Sequence, residues 1–232
     1  MKIAKYEHLF FDLDHTLYDF EANSIETLNE LFVTHHLSEL ISSKDAFIGA
    51  YQLINKELWA LYHQKKIDKT VLRNNRFSLA LEAFDIIDLR LADKLADEYL
   101  QISPYKGKLF PDAHKVLAYL KDKYTLHLIT NGFKEVQKIK IESSKLGQYF
   151  ANLFISEDIG FVKPDAGIFY HAVGKANTSI HKSLMIGDSY EADILGAAGV
   201  GMDTVLFNPE KMVSDFKTTY EINQLKELME FL

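Results

Sequence analysis

Two aspartates, Asp12 and Asp14, stand two residues apart at the end of the short apolar run Leu9, Phe10, Phe11. A run this short, ending in acids, reads as a buried strand whose carboxyl end opens into a polar site. In extended backbone, side chains two apart point the same way, so both carboxylates face one shared space. Held together they repel unless a cation or a proton lies between them. A divalent metal is the first expectation.

Other residues with chemistry to offer follow later apolar runs. Thr130 brings a hydroxyl, while Asn131 and Gly132 bring backbone N–H groups ahead of a helix, an arrangement that favours anions. Lys163 carries a positive charge that neutralises a phosphate and stabilises charge developing on it. Asp188 and Asp193 add carboxylates suited to a hard, oxygen-liking ion such as magnesium. Asp12 is then a nucleophile, a metal ligand or both, and Asp14 a general acid and base. Acids, a metal, a lysine and a hydroxyl form a toolkit for phosphoryl transfer, where positioning and charge neutralisation supply most of the catalysis.

These residues need elements to bring them together. From Asp19 to about Ser103 there is one glycine, Gly49, and no proline precedes Pro104. Apolar residues recur there at three- and four-residue spacings: Ile25, Leu28, Leu31, Phe32; Phe47, Tyr51, Ile54, Leu58, Leu61; Leu72, Leu79; Leu91, Leu95, Tyr99. That pattern predicts about four amphipathic helices with no strand between them. From Pro104 onward strands alternate with helices: strands over residues 125–130, 153–156, 183–186 and 204–207, with helices between, one of them begun by Pro164 at its first position. Such alternation implies α/β architecture, a doubly wound parallel sheet of Rossmann-like type covered on both faces. The expected division is an α/β catalytic core over residues 1–17 and 104–232, with a helical cap over residues 18–103. Right-handed crossovers put the carboxyl ends of the strands at one edge, where Asp12, Thr130, Lys163 and Asp188 should converge.

The same residues carry a family resemblance. Asp12, Leu13, Asp14, His15 and Thr16 match the DxDxT motif of the haloacid dehalogenase superfamily. Thr130 within Leu-Ile-Thr-Asn-Gly resembles its second motif, Lys163 within Lys-Pro-Asp its third, and Gly187, Asp188, Ser189, Tyr190, Glu191, Ala192 and Asp193 its fourth. The ordered set spans the chain. The resemblance implies that Asp12 attacks phosphorus and ligates magnesium, and that Asp14 protonates the leaving group, then activates water, with its backbone carbonyl on the metal. It implies that Asp188 completes the protein ligands and that Asp193 supports this loop or meets the metal through water. The helical insertion resembles a C1-type cap. Asp14, which the true dehalogenases lack, points to phosphatase chemistry. Within the cap, Leu72, Arg73, Asn74, Asn75, Arg76 and Phe77, following Leu58 and Trp59, are similar to the branch containing bacterial pyrimidine 5'-nucleotidases.

Plainer readings stand beside these. Asp193 in a first helical turn would complement the helix dipole. His15 reads as a spacer, and the other histidines, His35 and His36 among them, as surface residues without zinc-type spacing. Trp59 and Tyr62 read as helix packing rather than a base-stacking platform. Arg73 and Arg76, three apart on one helix face, suit either a solvated face or a substrate contact. The glycines around Gly199 follow a helix and not a strand, which rules out a dinucleotide loop.

Composition narrows the field. A net charge of -7 argues against a nucleic-acid polymer as partner, and the absence of cysteine excludes thiolate chemistry. No apolar run approaches a membrane span, and the first residues lack a secretory pattern, so the expected location is the cytoplasm. The sequence reading is thus a magnesium-dependent phosphomonoester hydrolase acting on a small phosphorylated metabolite, foremost a nucleoside 5'-monophosphate, as a monomer or small homo-oligomer. Sugar-phosphate or phosphoglycolate-type phosphatase and phosphomutase share the same core chemistry. The rival from another class is a receiver-like signalling module that accepts phosphate on aspartate. Asp14 and the cap discriminate against it, since a receiver needs neither.

Overall fold

The computed structural model describes residues 5–212 and 217–232. The chain divides into two compact units, one running to Phe20 and resuming as Gly107–Leu232, the other Glu21–Lys106. The first division falls after Phe20 because Tyr18 belongs with the sheet unit. Tyr18 is fully buried, and isolated bridges tie it to Asp14 and Leu109.

The sheet unit holds β1 (His8–Phe11), β2 (Thr125–Thr130), β3 (Asn152–Ile155), β4 (Ser183–Gly187), β5 (Asp203–Phe207) and β6 (Tyr220–Ile222). They form one sheet in the order β3-β2-β1-β4-β5-β6, every pair parallel. Alternation along the strands builds a core on each face. Leu9, Phe11, Leu126, Leu128, Leu184, Ile186, Val205 and Phe207 point to one side. There they meet Val116, Leu117 and Leu120 of a helix at Ala113–Lys121. Phe10, Ile129, Phe154 and Met185 point to the other, against Ile168, Phe169 and Ala172 of a helix at Ala166–Lys175. Each such side chain, fully buried, contributes roughly 1.5–3 kcal/mol. One helix start differs from the sequence reading. Asp165, not Pro164, caps the Ala166–Lys175 helix, its carboxylate accepting from Gly167 N–H at 2.7 Å. Strand β6 was not foreseen: it is only three residues long and carries a single buried side chain, Ile222.

The second unit consists of α1 (Phe20–Thr34), α2 (Lys44–His63), α3 (Lys69–Glu82) and α4 (Leu89–Ile102), the helical insertion that forms the cap. Ser43, Asp68 and Asp88 cap the last three through side-chain oxygens, each worth about 1 kcal/mol. Leu28, Leu31, Phe47, Tyr51, Phe77, Leu81, Leu95 and Tyr99 form its core. Among the expected periodic residues, Ile25 and Leu79 are instead exposed.

Candidate active site

The strand order reverses between β1 and β4. In parallel sheets, the carboxyl-end crevice at such a reversal is where ligands bind. Asp12 follows β1 directly, and its N–H donates to Ile186 carbonyl of β4 at 2.9 Å. Asp188 follows β4, and Thr130 ends β2. The parallel register therefore sets these side chains at one edge.

Lys163 knits them together. Its buried ammonium donates to Asp12 Oδ1 at 2.5 Å, Asp193 Oδ1 at 2.6 Å and the Ile129 carbonyl at 3.0 Å, which uses all three protons. Burial pulls this lysine down, but the two carboxylates outweigh it and hold it above its usual range. The acids respond in the opposite sense. Burial pushes Asp12 up against the pull of Lys163, and repulsion from Asp193 and Asp14 adds to the rise. Burial, then repulsion from Asp12, lifts Asp188 to about 6. Burial likewise raises Asp193, with Asp188 adding to it. Oxygens of Asp12, Asp188 and Asp193 lie within 4.8 Å of one another. Three carboxylates so close, balanced by one lysine, fit a hard divalent cation: the donor set is all oxygen and carries surplus negative charge.

Asp193 does lie in the first turn of a short helix, Tyr190–Leu195, but its carboxylate serves more than the helix dipole. It is buried, ion-paired with Lys163, and accepts Ser189 N–H at 3.1 Å. It can fold back because residue 187 is glycine, where an added Cβ would stand 2.3 Å from Asp193 Oδ2. Thr16 anchors the neighbouring loop: its hydroxyl donates to Asp188 Oδ1 at 2.9 Å and accepts Asp188 N–H at 3.0 Å.

Asp14 lies apart from the metal cluster. Its Oδ2 accepts Gln137 Nε2 at 2.7 Å and its Oδ1 accepts Lys140 Nζ at 2.5 Å. Burial pushes its carboxyl up, but the Lys140 charge and the two donors outweigh that and hold it below the ordinary carboxylate range. Neither Gln137 nor Lys140 was named from the sequence. The available signal was periodicity, because Phe133, Gln137, Lys140, Ile141 and Ser144 form the inward stripe of the helix at Lys134–Ser143. Polar residues on such a stripe are the informative ones.

Around Thr130 the anion-favouring character takes a specific form. Gly132 N–H donates to Thr130 Oγ1 at 3.2 Å, and Lys134 N–H, in the first turn of its helix, donates to the Glu157 carboxylate at 2.6 Å. The Asn131 side chain clamps the Lys163 backbone in both directions, at 2.9 and 2.8 Å. Its own backbone N–H is what it has for an anion.

Arg73 and Arg76 part company. Arg73 is an exposed partner of Asp97 at 2.8 Å, which is the solvated-face reading. Arg76 is buried, 5.4 Å from the Tyr99 ring, and its Nε and Nη2 have no partner among the described residues. The surface reading also fails for two histidines. His127 is fully buried on β2, and the side chain of His35 is covered and meets Glu98 at 2.8 Å.

The fold and this edge define a hydrolase of the haloacid dehalogenase class. A family model for haloacid dehalogenase-like hydrolases matches residues 6–201, and the chain belongs to that family. Among characterised relatives it is 35% identical to the pyrimidine 5'-nucleotidase PynA of Streptococcus pneumoniae, over 98% of this chain and 95% of that protein. It is 29% identical to the pyrimidine 5'-nucleotidase YjjG of Escherichia coli, over 98% of each. The crystal structure of the HAD-hydrolase YfnB of Bacillus subtilis, bound to magnesium, matches with a TM-score of 0.89 at 30% identity, covering 99% of both chains.

Proposed function

We propose that the chain is a magnesium-dependent phosphatase that hydrolyses nucleoside 5'-monophosphates through a phosphoaspartate on Asp12. The observation that carries this reading is the pairing at the β1 edge. One carboxylate, Asp12, is neutralised by a buried lysine beside two further acids, and a second, Asp14, is held by its own donors two residues on. A nucleophile and a separate proton carrier are what two-step hydrolysis requires.

In the first step an Asp12 carboxylate oxygen bonds to phosphorus as the ester P–O bond breaks, and Asp14 gives its proton to the leaving oxygen. In the second, water attacks the phosphorus of the phosphoaspartate, Asp14 takes the water proton, and phosphate leaves with the Asp12 carboxylate restored. The lowered pKa keeps Asp14 ionised, the form in which the second step begins; an incoming phosphate dianion lifts it toward the acid form that the first step needs. The Thr130 hydroxyl proton and the Asn131 N–H would receive the phosphoryl oxygens, and Lys163 and the Gly132 N–H would join them by releasing Asp12 and Thr130 Oγ1 respectively. Asp12 and Asp188, with the Asp14 carbonyl, would hold magnesium, and Asp193 supports that set. When bound, the ion supplies positive charge against the phosphoryl oxygens and offsets the mutual repulsion of the acids.

The nucleotide assignment draws on the two nucleotidase relatives, which align over nearly the whole chain. Of the cap arginines, Arg73 serves Asp97, while Arg76 is buried with Nε and Nη2 unpartnered among the described residues. The test is a panel of nucleotides, sugar phosphates and phosphoglycolate ranked by kcat/KM with magnesium. Pyrimidine nucleotides ranking first is the expected result. A sugar phosphate ranking first overturns the substrate, and one phosphate bound per chain without turnover replaces the enzyme with a receiver-like switch.

A further inference from the structure

We propose that Gln137 and Lys140 are positioning residues for Asp14, holding its carboxylate for proton transfer to the leaving oxygen. The proposal rests on the phosphatase reading above. Both residues project from one stripe of the Lys134–Ser143 helix, and both are buried. Together they occupy both oxygens of one carboxylate, at 2.7 Å and 2.5 Å, which leaves it a single orientation.

Gln137 does more than hold Asp14. Its Nε2 also donates to Thr130 Oγ1 at 2.6 Å, so one amide spans the hydroxyl that receives phosphate and the carboxylate that serves the leaving group. The distance between those two functions is thereby fixed by a single side chain. The local sequence is cut to fit it: a Cβ on residue 132 would lie 2.2 Å from Gln137 Nε2, so only glycine leaves the amide its path. Lys140 Nζ lies 5.0 and 5.1 Å from the ring centroids of Tyr18 and Phe20, aromatic faces that steady a cation where water is scarce.

The arrangement is costly to the fold. Lys140 is an ammonium 4% exposed, and Gln137 Oε1 is buried without a hydrogen-bond partner among the described residues. Apolar residues on this stripe would pack the helix without either cost. Two expensive polar groups converging on one carboxylate point to a task at that carboxylate.

The test uses leaving groups. A nucleoside alkoxide must be protonated to depart, while p-nitrophenolate departs without help. Lys140→Met is expected to lower kcat/KM for uridine 5'-monophosphate about 100-fold, mainly in kcat, yet change that for p-nitrophenyl phosphate less than about threefold. Lys140→Arg should recover most of the loss, and Lys140→Gln should show the same selective pattern should Lys140→Met fail to fold. In an Asp14→Asn background, Lys140→Met should add nothing. Equal losses on both esters, a loss confined to KM, or a further loss in the Asp14→Asn background would overturn the positioning role. Wild-type protein that hydrolyses neither ester would instead remove the phosphatase reading, and this proposal with it.

Discussion

At the scale of single residues, the site is a balance of like charges around Lys163. Asp12 is raised because burial and two neighbouring acids disfavour its ionised form more than Lys163 favours it. A group raised in the folded state stabilises the fold below its unfolded value and loses that contribution as pH climbs through the folded one. At neutral pH the ionised Asp12 is therefore a cost to the metal-free fold. Asp12→Asn removes that cost together with the nucleophile. Turnover should fall below about one thousandth of wild type, while the metal-free melting temperature stays equal or rises. Calorimetry beside a phosphate-release assay checks both halves; a well-folded variant with substantial hydrolysis would displace Asp12 as nucleophile. The sequence made Asp12, Asp14, Lys163 and Asp188 legible because each sits in a short motif after an apolar strand. Gln137 and Lys140 were not, because a glutamine and a lysine in a helix normally mean solvent. Only the inward stripe set by Phe133 and Ile141 shows otherwise.

At the scale of elements, parallel strands carry the argument, and one of them holds an unusual passenger. His127 lies in the middle of β2, fully buried, its ring stacked on Phe10 at 4.7 Å and its Nε2 2.9 Å from His8 Nδ1. Burial, then the neighbouring His8, lowers it from 6.5 to about 4. A histidine lowered in the folded state gives up stability as pH falls from its unfolded value through its folded one. Between pH 6.5 and 4 the fold should lose ~3 kcal/mol through His127. His127→Phe keeps the stack and removes the titration. Denaturant unfolding at several pH values should show wild type converging on the variant from above as pH drops; parallel curves would refute the assignment. The strand itself was readable from its apolar alternation, which is why its edges match the expected residues 125–130. Its histidine was misplaced for the same reason that Lys140 was missed: residue type argued for the surface, and the period argued for the core. Strand β6 escaped notice because three residues are too few to show a period at all.

At the scale of the whole molecule, the candidate metal ligands come from distant parts of the sequence but from a single unit. Asp12, Asp188 and Asp193 all belong to the sheet unit, and none to Glu21–Lys106. The chain carries a net charge of -7, so three acids gathered at one sheet edge add local repulsion to a molecule already acidic. An ion that binds the folded sheet unit and not the unfolded chain stabilises it by mass action, about 2.7 kcal/mol at 100 times its dissociation constant. For a chain of this length that corresponds to roughly 5–10 °C in melting temperature. Magnesium should therefore raise the melting temperature of wild type by that amount, and Asp188→Asn should abolish most of the increment without lowering the metal-free value. Hydrogen exchange locates the effect: added protection belongs at β1, β4 and the loops that follow them, with α2 and α3 unchanged. An increment that survives in Asp188→Asn, or one confined to the helical unit, would move the metal away from this edge.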